Sequence, residues 1–200
     1  MVWADGSLTE TPHQQQWDER HAQARQPGRP AEVLLANLQL LPETGTALDL
    51  ACGRGVNALL LAEQGLQSHA WDFSETAIGR VRESAAQLGL DIHPQIRDVV
   101  ANPPQPDSFD VILVSHFLER SLIPHLIEAL RSGGRIFYQT FVRQVNLGRG
   151  PSSPEWRLEQ NELLHLFRGL TIHYYREDGA LPLKTTELSD MALLVASKTR

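Results

Sequence analysis

The chain has 200 residues, 42% of them hydrophobic and 21% charged, which describes one well-buried globular domain and is too short for two ordinary ones. A net charge of −6, with Lys and Arg scattered, gives no electrostatic footing for nucleic acid or an anionic membrane surface. The single cysteine, Cys52, excludes an intramolecular disulfide framework and suits a reducing compartment.

No apolar run approaches the ~20 residues that span a bilayer, and the N-terminus has no charged-then-apolar signal pattern, so the expected location is cytoplasmic. Residues 1–9 read as a loose start. Thr11-Pro12 reads as an N-cap with Pro at the first helical position, opening a helix over 12–24 that puts Trp17 and Arg20 on one face. Gln26-Pro27-Gly28-Arg29-Pro30 breaks it. A second helix carries Val33, Leu34, Leu38 and Leu41 and ends near Pro42.

Strand and helix then alternate. A strand is expected over 46–50 and its helix from Asn57, stopped by Gly65. A second strand over 66–71 ends in Asp72, and Ser74 caps a helix that stops at Gly89. A third strand over 92–97 contains Pro94, which argues for a sheet edge. A fourth over 109–114 is followed by Ser115 and His116. A helix over 121–130 leads to Gly133-Gly134 and a fifth strand over 135–141. Ser153-Pro154 predicts a helix over 155–167. Strands over 171–176 and 191–197, with no crossover helix between them, pair as an antiparallel hairpin. The pattern predicts one α/β domain over 1–200: a helical cover over 1–42 on a Rossmann-like, doubly wound core over 43–200. Its seven-stranded sheet is mostly parallel, with an antiparallel last strand.

Chemistry concentrates on one stretch, Ala47-Leu48-Asp49-Leu50-Ala51-Cys52-Gly53-Arg54-Gly55-Val56-Asn57. An apolar strand ends in an acid, and a Gly turn leads into a helix N-terminus, where open α/β sheets hold nucleotide-like ligands. Gly53 to Ala58 also fits the dinucleotide fingerprint G-x-G-x-x-A. Asp49, Asp72 and Asp98 recur at three successive strand ends. Cys52 sits in the turn with no base nearby in sequence, so a packing role is expected. The eight histidines show no metal-ligand spacing, and no metal is expected.

These motifs resemble the class I S-adenosylmethionine (SAM)-dependent methyltransferases, in particular the tellurite-resistance-type small-molecule enzymes of bacteria. The resemblance rests on Trp17 to Arg20, Asp49 to Asn57, Trp71-Asp72, Arg97-Asp98 and Phe109 to Val114. It implies SAM as cofactor. Asp72 would accept hydrogen bonds from both ribose hydroxyls, with Phe73 against the adenine. Asp98 would meet the adenine amino group, and the Val99 N–H a ring nitrogen, beside Arg97. Asp49 would fix backbone N–H groups of the turn or approach the methionine ammonium. Ala51, Cys52, Gly53, Gly55 and Asn57 would line the turn, with Ser115 near it. Trp17-x-x-Arg20 resembles a signature in which the Arg pairs with the SAM carboxylate, and the first two helices would cover the cofactor.

Ala51 departs from the family pattern at the first glycine position, and should be tolerated if the backbone there keeps a negative φ. No catalytic residue is identified. His116, at the C-terminal edge of the sheet, is the substrate-side candidate. The expected partner is a small-molecule methyl acceptor, and the chain is expected to be a monomer or homodimer. Two alternatives stay open: a nucleotide- or NAD-dependent oxidoreductase, and a non-catalytic SAM-binding protein.

Overall fold

A computed structural model of the chain describes residues 28–144, 149–178 and 188–199. Seven strands form one sheet: β1 (Thr46–Leu50), β2 (Gln67–Asp72), β3 (Ile92–Ile96), β4 (Phe109–Ser115), β5 (Leu130–Phe141), β6 (Thr171–Glu177) and β7 (Met191–Ser197). Their order is β3-β2-β1-β4-β5-β7-β6. β1 to β5 are parallel, and β7 runs antiparallel between β5 and β6. The expected seven-stranded sheet, its reversed last strand and the edge position of the Pro94 strand are all present.

Strand order reverses at β1, whose neighbours are β2 and β4. Both connections there are crossovers, so a crevice opens beyond the C-terminal ends of these strands. The sheet is covered on both faces. Along β1 the side chains alternate: Ala47 and Asp49 face one side, Leu48 and Leu50 the other. The Ala47 face is covered by α1 (Glu32–Leu35), α2 (Val56–Glu63) and α3 (Glu75–Leu88). In α3, Ala77, Ile78, Val81 and Ala85 are buried at helical spacing. The Ser74 hydroxyl caps it by accepting from Ala77 N–H at 3.0 Å, and Gly89 ends it in the left-handed region. The Leu48 face is covered by α4 (Ile123–Ala129) and α5 (Glu162–Leu166), with Leu126, Leu163 and Phe167 packed against Ile112, Val114 and Tyr138.

Three elements depart from the sequence pattern. The second predicted helix shrinks to α1 and a 3-10 turn at Leu38–Leu40. Asn37 divides them, with φ −135° and its side-chain amide donating to Val33 C=O. Gly133-Gly134 lies inside β5, at an irregularity in its pairing with β4, and does not precede the strand. The predicted helix over 155–167 forms only a 3-10 turn at Pro154–Trp156 and α5. Between them Arg157 is extended and buried, and Leu158 pairs with Val142. Tertiary bonds override the local helical pattern there.

The first predicted helix, with Trp17 and Arg20, lies outside the described residues.

Candidate functional site

The turn after β1 is anchored from below and from the side. Cys52 N–H donates to Trp71 C=O at 3.0 Å, which carries the chain across to the end of β2. Asp72 Oδ2 accepts from Gly53 N–H at 2.8 Å and its Oδ1 from Ser74 N–H at 2.9 Å. This one carboxylate therefore joins the Gly turn to the cap of α3, and it is only 6% exposed. Gly55 starts α2 with φ +74°, and a Cβ there would stand 2.6 Å from Val81 Cγ2. Both the left-handed backbone and the close approach of α3 require glycine.

Ala51 adopts φ +54°, so the condition of a negative φ under which alanine would be tolerated there is not met. The alanine carries a left-handed conformation that costs an L-residue roughly 1–2 kcal/mol.

Asp49 lies fully buried beneath the turn. Its Oδ2 accepts from Ala58 N–H, in the first turn of α2, at 3.1 Å. Its Oδ1 is buried with no hydrogen-bond partner among the described residues. Burial pushes this carboxyl well above the ordinary carboxylate range, against the opposing pull of the Ala58 N–H and the Asn57 side chain. A buried, unsatisfied carboxylate oxygen is rare and marks a place where a donor or a cation belongs. Cys52 is also buried, and burial, then Asp49 and Asp72, push its thiol up. That is the opposite of an activated nucleophile and agrees with the packing role.

Asn57 ties three elements together. Its Oδ1 accepts from Ala31 N–H at 2.7 Å and its Nδ2 donates to Ser115 Oγ at 3.3 Å. Gln139 of β5 does similar work: its Oε1 accepts from Val33 N–H at 2.9 Å. The segment leading into the core is thus docked by two side-chain amides at the C-terminal edge of the sheet. Gln139 was not singled out from sequence, where it reads only as a polar residue in an apolar strand.

At the end of β3, Arg97 stacks its guanidinium 4.0 Å above the Trp71 ring. It donates to Asn102 C=O at 2.7 Å and Pro103 C=O at 2.9 Å. Arg97 is a strut for the loop after β3. Asp98 is exposed, and its Oδ1 accepts from Val100 and Ala101 N–H. Its Oδ2 makes no bond among the described residues. Val99 is buried beside it and Phe73 is partly exposed after Asp72.

His116, with φ +59°, donates its N–H to Gln139 C=O, and its ring lies 5.3 Å from that of Phe141. Desolvation, and then the Arg149 charge, hold its imidazole below the ordinary value. Phe141 is backed by Gly150, where any Cβ would clash with the ring at 2.6 Å. Buried Arg157 holds this wall by donating to the C=O groups of Pro151, Val142 and Arg149. Arg120 clamps its far side through a two-point ion pair with Glu162 and a bond to Arg157 C=O at 3.0 Å. This construction after β5 was unreadable from sequence, because its bonds go to backbone carbonyls and carry no residue-type signal.

The strand ends thus bring together Asp49, Ala51, Cys52, Gly53, Gly55, Asn57, Asp72, Phe73, Arg97, Asp98, Val99, Ser115 and His116 along one edge of the sheet. No group of three or more potential metal ligands occurs among the described residues. No described helix is long and apolar enough to cross a membrane.

Comparison with known proteins supports the family resemblance. Residues 47–134 match the family described as methyltransferase domain. The ubiquinone biosynthesis O-methyltransferase of Idiomarina loihiensis is 33% identical over 104 residues, covering 49% of this chain and 43% of that protein. The trans-aconitate 2-methyltransferase of Variovorax paradoxus is 32% identical over 118 residues, covering 56% and 44%. The chain spans less than half the length of these curated relatives. TehB from Haemophilus influenzae superposes with a TM-score of 0.70 at 24% identity, covering 91% of this chain and 66% of that one. At that identity the likeness establishes the fold.

Proposed function

We propose that this chain is a SAM-dependent methyltransferase acting on a small-molecule acceptor. The observation that carries the reading is the buried Asp49 Oδ1, without a hydrogen-bond partner among the described residues, beneath a Gly turn at the sheet's reversal point. SAM fits the donors present. It carries an ammonium, which an unsatisfied buried carboxylate would stabilise. It has a ribose diol, for which Asp72 offers a carboxylate at the next strand end. It has an adenine, beside which Phe73, Asp98 and the Val99 N–H would lie. Asp98 at the third strand end favours SAM over a nicotinamide dinucleotide, which has no need of a third acid at that point.

Bound SAM would supply a sulfonium methyl already activated for displacement. The chain's share is alignment and exclusion of water. The Asp72 bonds to Gly53 and Ser74 hold the turn in shape before any ligand arrives, so no reorganisation is needed on binding. His116, beside Phe141, would take a proton from an acceptor hydroxyl. A sulfur, selenium or tellurium acceptor would need no such base.

The residues before 28 extend the proposal. Residues 1–42 would form the helical cover of a single domain, with Trp17 and Arg20 over the cofactor and Arg20 on its carboxylate. The protein would work in the cytoplasm as a monomer or homodimer. Incubation with SAM and a panel of catechols, carboxylates, thiols and oxyanions, read by mass spectrometry, tests the activity. A methylated product with stoichiometric S-adenosylhomocysteine supports the proposal. SAM binding with no product from any acceptor would favour a non-catalytic SAM-binding protein, and NAD binding without SAM binding an oxidoreductase.

A further inference from the structure

At the opposite edge of the sheet, the beginnings of β5 and β6 and the end of β7 open onto a cleft of about 330 Å³. Strand register explains its lining. Arg135 of β5 pairs with Ser197 of β7, and Ser197 pairs with Thr171 of β6. Directly paired residues share a face, so these side chains stand in one row. His173 joins at the irregularity in β6, with Nε2 2.7 Å from Ser197 Oγ. Leu40, Lys198 and Thr199 complete the walls.

Every ionisable side chain lining the cleft is basic or imidazole, in a chain of net charge −6. The Lys198 ammonium is committed: it donates to Leu130 C=O at 2.6 Å, Glu128 C=O at 3.2 Å and Asp107 Oδ1 at 3.1 Å. Its three protons are used, so it contributes charge and no donor. Arg135 differs. It is partly buried, and it makes no side-chain hydrogen bond or ion pair among the described residues. Its guanidinium therefore offers five N–H donors beside the hydroxyls of Ser197, Thr171 and Thr199.

We infer that this cleft binds a phosphate-bearing small molecule, at a site separate from the Gly turn. The guanidinium fork takes two oxygens of a tetrahedral oxyanion, and with His173 donating from Nε2 to Ser197 Oγ the hydroxyl row is left for the others. A planar carboxylate would use the fork and leave most of the hydroxyls idle. The cleft is at the lower end of the ~300–1,000 Å³ usual for small-molecule pockets, so a phosphate on a small organic body fits and a dinucleotide does not. β5 runs from Arg135 to Phe141 at the other edge, roughly 20 Å at ~3.3 Å per residue. Occupancy here does not compete with a ligand at the Gly turn.

The test is a titration with inorganic phosphate followed by amide ¹⁵N–¹H spectra, with acetate and chloride at matched ionic strength. Saturable shifts are expected at residues 133–135, 171–173 and 197–199. Arg135→Gln should weaken them at least tenfold, and Ser197→Ala should weaken them as well, both with an unchanged melting temperature. Arg82→Gln, exposed on α3, should leave them as they are. Shifts that fail to saturate, that chloride reproduces, or that survive in Arg135→Gln would overturn the site. Acetate binding as tightly as phosphate would overturn the ligand class.

Discussion

Replacing Asp72 by Asn separates two roles that this side chain combines. In the folded chain Asp72 accepts from Gly53 N–H at 2.8 Å and from Ser74 N–H at 2.9 Å, and it is 6% exposed. Alanine would remove both acceptors and leave the fully buried Ser74 N–H unsatisfied, costing about 1–3 kcal/mol for that group alone. Any loss of ligand binding would then be mixed with loss of fold. Asparagine keeps one acceptor oxygen and the volume, so it should cost about 1–2 kcal/mol of stability, one hydrogen bond's worth. The charged acceptor for the ribose hydroxyls disappears all the same. Bonds to a charged group contribute about 1.5–3 kcal/mol, so the SAM dissociation constant should rise about 10- to 150-fold at a factor of ten per 1.4 kcal/mol. Isothermal titration with SAM and S-adenosylhomocysteine, with circular dichroism to confirm the fold, reads both effects. A folded Asp72→Asn variant with unchanged affinity for both ligands would refute the ribose assignment.

Ala51→Gly should gain about 0.5–1 kcal/mol, since relief of the φ +54° strain outweighs the backbone entropy that glycine brings; a loss of more than 1 kcal/mol in thermal denaturation would show that the methyl group is needed there. Asp49 gives a pH signature. With its folded-state pKa raised by burial, its contribution to apo stability is present at low pH and lost as pH rises through that pKa. A bound ammonium favours the ionised carboxylate, so SAM affinity should climb with pH by up to about tenfold per unit until Asp49 is ionised. Asp49→Asn should bind more weakly and flatten the profile, and an equally steep Asp49→Asn profile would assign the proton elsewhere. Cys52→Ala should keep its fold, SAM binding and most of its turnover, because the thiol is buried and its pKa pushed up; a thousandfold loss of turnover would show chemistry at this sulfur.

The parts of the fold that were legible in the sequence are those held by local rules. β1 and β7 lie where alternation and apolar runs put them, Ser74 caps α3 through its own hydroxyl, and Pro94 does sit on the edge strand. The sequence pointed Asp49 at N–H groups of the loop, whereas its carboxylate reaches Ala58 N–H one step further on, in the first turn of α2. What local rules miss is set at long range. The helical pattern over 155–167 breaks because Arg157 finds three carbonyls brought to it by other loops. Ala51 takes a positive φ in a turn whose Cys52 N–H bonds to Trp71 C=O, 19 residues later. Gln139 gave no signal, since its partner Val33 N–H is 106 residues away. The same holds for the cleft at Arg135, a juxtaposition made by strand order alone.

The central claim is that the edge of the sheet carrying Asp49, the Gly turn and Asp72 is built for SAM. The most direct measurement is a calorimetric titration of the full chain with S-adenosylhomocysteine and, separately, with NAD and NADP. The account predicts saturable one-to-one binding of S-adenosylhomocysteine, weakened in Asp72→Asn, and no heat of binding from either dinucleotide. Saturable binding of NAD or NADP with none of S-adenosylhomocysteine would contradict it.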